Sequence, residues 1–253
     1  MERFQGSEDD VQYSNLGLNQ LVSRELSGRF LRRVALMLNL KRSFSDAPGA
    51  ERMEFDQLKA DLKLSSTPIS HPSFFFPESA LSATLGLRKK TDFLDASQSA
   101  LAAIGNVDLD SDAFSLTLGQ VFSRRSKVVP AENLSWSLRY ESQKTDLAPT
   151  RDYSYVLLAL NYSRTLSKAL YGRSLTLGAG LDYRSKSWDQ PITGDVENEA
   201  QVGISTYAQV RWFSGMSSRL YLNYMDRAQD LRGGGSKSVN QWIVGLSNTF
   251  LTF

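Results

Sequence analysis

The sequence predicts an all-β fold: a closed antiparallel up-and-down transmembrane β-barrel of about ten to twelve strands. Three observations predict it. Apolar residues recur at every second position in segment after segment, which is the period of a β-strand and not of a helix. The face opposite the apolar one is rich in Ser, Thr, Gly and mixed charge, while the apolar face often ends in Tyr, Trp or Phe. A soluble sandwich of the same strand count, the rival reading, packs its large aliphatics inside and shows water its polar side. A barrel in lipid turns the apolar side out and rings it with aromatics. Finally, no apolar run approaches the roughly 18 residues of a membrane-spanning helix, so any span must be made by strands. Hydrocarbon offers no partner to open backbone groups, and such a sheet must close.

In chain order the candidate strands are 11–24, 31–44, 53–66, 79–90, 112–125, 132–144, 152–166, 173–187, 199–214, 216–229 and 239–253. In the second, Val34–Leu40 alternates with Arg33, Asn39 and Lys41. Leu58–Leu64, Leu81–Leu87 and Phe114–Phe122 keep the rhythm in the next three. In 132–144, Leu134, Trp136, Leu138 and Tyr140 alternate with Ser135, Ser137, Arg139 and Glu141. In 173–187, Leu175, Leu177, Ala179, Leu181 and Tyr183 alternate with Thr176, Gly178, Gly180, Asp182 and Arg184. In 199–214, Val202, Ile204, Thr206, Ala208, Val210 and Trp212 alternate with Gly203, Ser205, Gln209 and Arg211, and Leu220–Tyr224 repeats the pattern. Trp136, Tyr140, Tyr183, Trp212 and Tyr224 are the expected interface aromatics. A tilted strand crosses a bilayer in about 9–11 residues, so several of these project beyond it.

Residues 1–30 stand apart from the barrel expected over 31–253. They read either as a first strand or as a periplasmic or plug-like segment, and 16–36 also admits a helical spacing through Leu18, Leu21, Val22 and Leu26, broken at Gly28. Counting 11–24 makes the strand number odd, whereas single-chain bacterial barrels have an even number. Three resolutions are open: a non-β segment over 11–30, a further strand within the first ten residues, or a chain that is the C-terminal part of a larger barrel. The N-terminus shows no apolar signal segment, and a mature or truncated form is expected.

Composition narrows function. Among 253 residues, Lys+Arg is 29 and Asp+Glu is 27, so no strong basic field exists for nucleic acid. The absence of cysteine excludes disulfide frameworks, thiolate metal sites and cysteine nucleophiles. Neither a metal nor a cofactor is expected. The single histidine, His71, is the one imidazole base; it sits beside Pro72 in a Pro-rich link, and an ordinary loop residue is expected. Asp108, Asp110 and Asp112 alternate like part of a calcium loop but lack its downstream Gly and Glu, which reads as a solvated loop. Asp189–Glu199 is similarly acidic, with divalent bridging to lipopolysaccharide phosphate as an alternative. Gly233-Gly234-Gly235 lacks the Lys-Ser/Thr of a phosphate cradle and reads as a loop tip. Ser97–Ile104 has the spacing of a short helix within the longest link.

The chain stops at Asn248-Thr249-Phe250-Leu251-Thr252-Phe253. A final alternating strand ending on a terminal Phe resembles the C-terminal signal of bacterial outer-membrane β-barrels, with Leu251 and Phe253 as its residues. The resemblance implies an outer-membrane address, insertion by the barrel-assembly machinery, and a periplasmic C-terminus. In this last strand Ile243, Gly245, Ser247, Thr249, Leu251 and Phe253 compete with Trp242, Val244, Leu246, Asn248 and Phe250 for the lipid side, and the pattern leaves the phase open. Placing Phe253 in the periplasm makes the links 91–111, 145–151, 188–198 and 230–238 external, and 126–131, 167–172 and Phe213–Met216 short internal ones, as such barrels require. The link 67–78 is the exception, long yet internal, with three prolines against regular structure.

The expected lumen is lined by Lys59, Asp61, Lys63, Arg139, Glu141, Asp182, Arg184, Arg211 and Arg219. Opposite charges among Ser, Thr and Gly either interlock and close a narrow barrel or line a water path of weak charge selectivity; buried charge calls for Arg–carboxylate pairing in both cases. The expected function is a non-enzymatic outer-membrane pore or translocation channel, held among lipid and lipopolysaccharide, with no nucleic-acid partner. The alternative is a plugged structural barrel that anchors a periplasmic protein through its N-terminal segment and the 67–78 link, with a barrel hydrolase behind both.

Overall fold

Alternation of branched and aromatic residues with small polar ones favours extended backbone, and the chain follows it almost without interruption. The structure, a computed structural model, describes residues 2–4, 11–45, 55–71, 75–92, 111–124, 131–145, 152–190, 194–213 and 216–250. Its elements are β1 (Glu2–Phe4), β2 (Val11–Glu25), β3 (Leu31–Ser45), β4 (Phe55–Ser66), β5 (Ile69–Ser70), β6 (Glu78–Asp92), β7 (Ser111–Arg124), β8 (Ala131–Thr145), β9 (Tyr153–Leu170), β10 (Arg173–Trp188), β11 (Val196–Phe213), β12 (Met216–Leu231) and β13 (Ser236–Phe250). Every pairing is antiparallel between neighbours in sequence, in the order β1-β2-β3-β4-β6-β7-β8-β9-β10-β11-β12-β13, with β5 paired to β6. The expected all-β, antiparallel up-and-down barrel is the architecture observed.

The eleven long strands coincide with the eleven candidate segments, several running further than the pattern indicated. Residues 11–25, open between strand and plug, form β2 in unbroken register with β3 from Tyr13↔Ser45 to Glu25↔Arg33. The short β1 pairs with the start of β2, Glu2↔Tyr13 to Phe4↔Val11. It brings the strands on the path to twelve, the even number that antiparallel closure needs: with eleven, first and last strands would run the same way.

All links joining β2–β3, β4–β6, β7–β8, β9–β10 and β11–β12 lie at one end, called here the short-turn end. The β9–β10 turn is Tyr171-Gly172, whose φ values of 47° and 74° are those of a tight turn matched to strand twist. The other end, called here the long-link end, carries the links 46–54, 93–110, 146–152 and 189–195, together with the short β12–β13 turn, where Gly233, Gly234 and Gly235 have φ of 91°, 104° and 103° and the Leu231 amide donates to the Gly235 carbonyl at 3.0 Å. That triplet is a turn. Residues 97–104, with their helical spacing, Asp108, Asp110 and the terminal Leu251 and Phe253 lie outside the described residues.

Register fixes which side chains share a face. Leu58, Leu62, Leu85, Leu116, Leu138, Leu158, Leu181, Ile204 and Leu222 are on one side and remain substantially exposed. The other face is concave. Neighbouring strands stand about 4.8 Å apart, yet the Arg88 guanidinium on β6 donates to the Tyr153 hydroxyl on β9 at 3.3 Å, which requires the sheet to curl toward that face. The large aliphatics therefore lie mainly on the convex side, and the buried carboxylates Asp61, Glu141 and Glu199 on the concave one, while Glu132 and Asp152 are buried near the two ends of the convex face. Among the described residues the buried apolar side chains are only Ala35, Phe76 and Ala113, whereas the buried polar ones include Asp61, Glu141 and Glu199.

The long strands β2 and β13, nearest the two ends of the path, differ from the rest. From Leu16 to Glu25, and from Ser236 to Thr249 except Gly245, both faces are exposed. They are called here the seam strands.

Candidate functional site

On a pleated strand, residues two apart share a side, so pairing carries one face around the whole sheet. Asp61 faces Gly86, Gly86 faces Ser115, Ser115 faces Glu141 and Glu141 faces Tyr155; Lys186 then faces both Tyr155 and Glu199. Lys59, Lys63, Arg139, Asp182, Arg184, Arg211 and Arg219 share this side by the same registers. All nine candidate lumen residues fall on the concave face.

The structure draws five of them into a charged tier toward the long-link end. Glu141 is 4% exposed and is the hub: its carboxylate meets Arg139 on its own strand and Arg88 at 3.3 Å, and accepts from Tyr153 at 3.2 Å and Tyr155 at 3.1 Å. Arg88 donates also to Gln143 at 2.7 Å. A second hub is Glu199, which takes Arg184, Gln229 at 2.8 Å and Arg227 at 3.7 Å. Arg184 donates further to Gln201 at 2.9 Å. Lys59 pairs with Asp61 at 2.8 Å, and the Lys186 amine lies 3.7 Å from the Tyr153 ring centre and 4.2 Å from that of Trp188. Each carboxylate is surrounded by donors, as charge removed from bulk water requires.

The other four candidates remain outside ion pairs among the described residues. The Arg219 guanidinium lies over the Tyr207 ring at 3.9 Å, where the ring's electron-rich face takes the place of a carboxylate. Arg211 and Lys63 are exposed. Asp182 packs on Gly203, where a Cβ would stand 2.5 Å from its Oδ1. The general expectation of Arg–carboxylate pairing is thus met in the tier and not at these positions.

Arg88, Gln143, Tyr153, Tyr155, Lys186, Glu199, Gln201, Arg227 and Gln229 belong to the site but were not among the candidates. Arg88 opens the run Arg88-Lys89-Lys90, which has no phase of its own. Leu157 and Leu158 obscure the phase of β9, and Glu199 lies where the acidic link was expected to end. Register with a clearly phased neighbour, Glu141↔Tyr155 or Lys186↔Glu199, is the signal that would have found them.

Beneath the charged tier, toward the short-turn end, side chains become small. Ser82, Gly119, Ser137 and Ala159 form one row across β6–β9, and Ser135, Asn161, Gly180, Ser205 and Asn223 form the next across β8–β12. Further down Tyr207 lies against Gly178, where a Cβ would sit 2.1 Å from the ring.

The expected interface aromatics all lie on the convex face. Trp136 and Trp212 are toward the short-turn end, and Tyr140 and Tyr183 toward the long-link end. Tyr224 is midway along β12, its ring centre 4.6 Å from that of Trp242 and tilted 43° to it. Pairing settles the phase of the last strand: Trp242, Val244 and Leu246 face Tyr224, Leu222 and Leu220 and belong to the convex side.

The described parts of the 67–77 link, 67–71 and 75–77, include regular pairing that its prolines argue against. Ile69↔Ser79 and Ser70↔Glu78 continue the β4–β6 hairpin beyond the other strands. His71 Nε2 lies 2.9 Å from Ser79 Oγ, Gln120 Nε2 donates to the same oxygen at 3.0 Å, and Trp136 Nε1 donates to Gln120 at 3.3 Å. A His–Ser contact is the geometry of a nucleophile and its base. Here Ser79 is only 2% exposed, with the His71 and Phe76 rings each about 6.5 Å from Phe122 above it. The hydroxyl has no open path to a substrate and ties the link to the convex face.

No family model matches the chain, and no curated protein matches it. Among solved structures, the beta domain of the Bordetella autotransporter Brka is similar over 96% of this chain and 92% of that one, at 12% identity and a TM-score of 0.44. At that distance the functional reading rests on this chain's own residues.

Proposed function

We propose that this chain is an integral bacterial outer-membrane β-barrel that acts as a small pore or translocation channel. The observation that carries the reading is the concave face: a largely polar lining along strands of 12–18 residues, with stretches of Ser, Gly, Ala and Asn across β6–β9 and β8–β12 below the charged tier. A barrel built only to anchor is best filled by interlocking bulky side chains; short ones leave room for water. The exposed leucines of the convex face supply the surface that hydrocarbon covers. Ser79, the hydroxyl beside the single histidine, is covered, and no hydrolase reading is built on it. Reconstitution in planar bilayers tests the reading. Discrete single-channel currents are expected, and a closed bilayer with fully folded protein contradicts it.

A second reading, a plugged barrel that anchors a partner, has one observation in its favour. The hairpin extension at the short-turn end presents Phe75, 58% exposed, with Arg124 stacked 4.4 Å from its ring centre. A periplasmic protein retained by the full chain and lost when 67–78 is shortened supports that reading; retention of none removes it.

A further inference from the structure

The charged tier is unequal in sign. Six cations, Lys59, Arg88, Arg139, Arg184, Lys186 and Arg227, share the concave face there with three carboxylates, Asp61, Glu141 and Glu199. Lys63 and Lys237 stand in the same rows and add to the positive side, and Asp182 lies one row nearer the short-turn end. The two signs are also used differently. The hub carboxylates are saturated, Glu141 by two guanidiniums and two phenols and Glu199 by two guanidiniums and an amide. The cations are not saturated: the Nε atoms of Arg139, Arg184 and Arg227 are buried without a hydrogen-bond acceptor, and Lys186 rests on aromatic rings instead of a carboxylate.

We infer that the charged tier makes the channel selective for anions, small inorganic ones such as chloride at the least. This rests on the pore reading above. A ring of Arg and Lys facing water between low-dielectric walls concentrates anions and repels cations. Its three carboxylates offset part of this charge and leave a net positive tier. The Lys186 amine, held on aromatic rings instead of a carboxylate, is the cation least committed to the wall. The tier is a net excess of positive charge and not a closed set of pairs.

The test is the reversal potential of the full chain in planar bilayers of neutral phosphatidylcholine across a KCl gradient. Its sign should report chloride as the more permeant ion. Lys186→Gln, which removes a charge without stranding a carboxylate, should move the potential toward the potassium side. Arg184→Gln with Arg227→Gln should move it further, and Glu199→Gln the opposite way. Cation-selective or non-selective current overturns the inference and leaves the pore reading standing. Absence of current from folded protein overturns both. Chloride selectivity that Lys186→Gln and the double variant leave unchanged also overturns it, because the tier would then not be its source.

Discussion

The wall formed by β6–β12 and the seam strands β2 and β13 are made of similar residues in similar alternation, yet they sit in different surroundings. In the wall, concave-face side chains reach across neighbouring strands: Arg88 on β6 touches Glu141 and Gln143 on β8 and Tyr153 on β9. At the seam, Leu16, Leu18 and Val22 on β2 and Trp242, Val244 and Leu246 on β13 are among the most open of the strand aliphatics and aromatics. The concave side turns apolar there too, with Leu21 and Met37 near one edge and Val239 and Ile243 at the other. Alternation specifies a strand, and neighbours on both edges make it a wall.

The comparison breaks most visibly at Glu141. Glu141→Ala leaves Arg88 and Arg139 without their buried carboxylate, and loss of one partner from such a set costs about 3–5 kcal/mol. Urea unfolding in detergent micelles should show it, while Leu21→Ala in β2, 59% exposed, should shift the midpoint little. A pair of glycines sharpens the contrast. An Ala at Gly178 in β10 would place its Cβ 2.1 Å from the Tyr207 ring, but at Gly17 in β2 the nearest atom is 3.7 Å away. Gly178→Ala should destabilise by about 1–3 kcal/mol through overpacking, and Gly17→Ala should be close to neutral in the same assay.

Smaller effects are expected at the margins of the wall. Ser79→Ala leaves the Gln120 amide without its acceptor at 3.0 Å; the cost is roughly 1 kcal/mol, read as faster proteolysis of the 67–77 link. Lys144 bridges Asp152 at 3.4 Å and also meets Asp189, but its side chain is 62% exposed. Lys144→Met should leave the unfolding midpoint nearly unchanged, because exposed pairs contribute little, and any difference should vanish in high salt.

Much of this was legible in the sequence, for a physical reason. A period of two is the direct imprint of pleating, so Trp136, Leu138 and Tyr140 against Ser137, Arg139 and Glu141 specify both the strand and its two sides. The nine lumen candidates share a face because each lay in a segment of clear alternation. Where both sides are apolar the imprint fades. Ile243 and Val244 are adjacent and equally greasy, and only pairing with Leu222 and Asn223 assigns them. Pairing partners are equally invisible to alternation. Arg139 was expected in the lumen, but its union with Glu141, Arg88 and the two tyrosines depends on register and curl. The first ten residues carry no pattern, and β1 emerges only through its pairing with Val11–Tyr13.

The central claim is that the convex, leucine-bearing side meets hydrocarbon and the concave side meets water. A chain without cysteine permits a clean measurement: single cysteines at 135 through 140 on β8, reconstituted in lipid vesicles and treated with a water-soluble maleimide. Labelling at 135, 137 and 139 with protection at 136, 138 and 140 is the expected result. The opposite phase, or uniform protection in a protein that stays folded and monomeric without detergent, would contradict it.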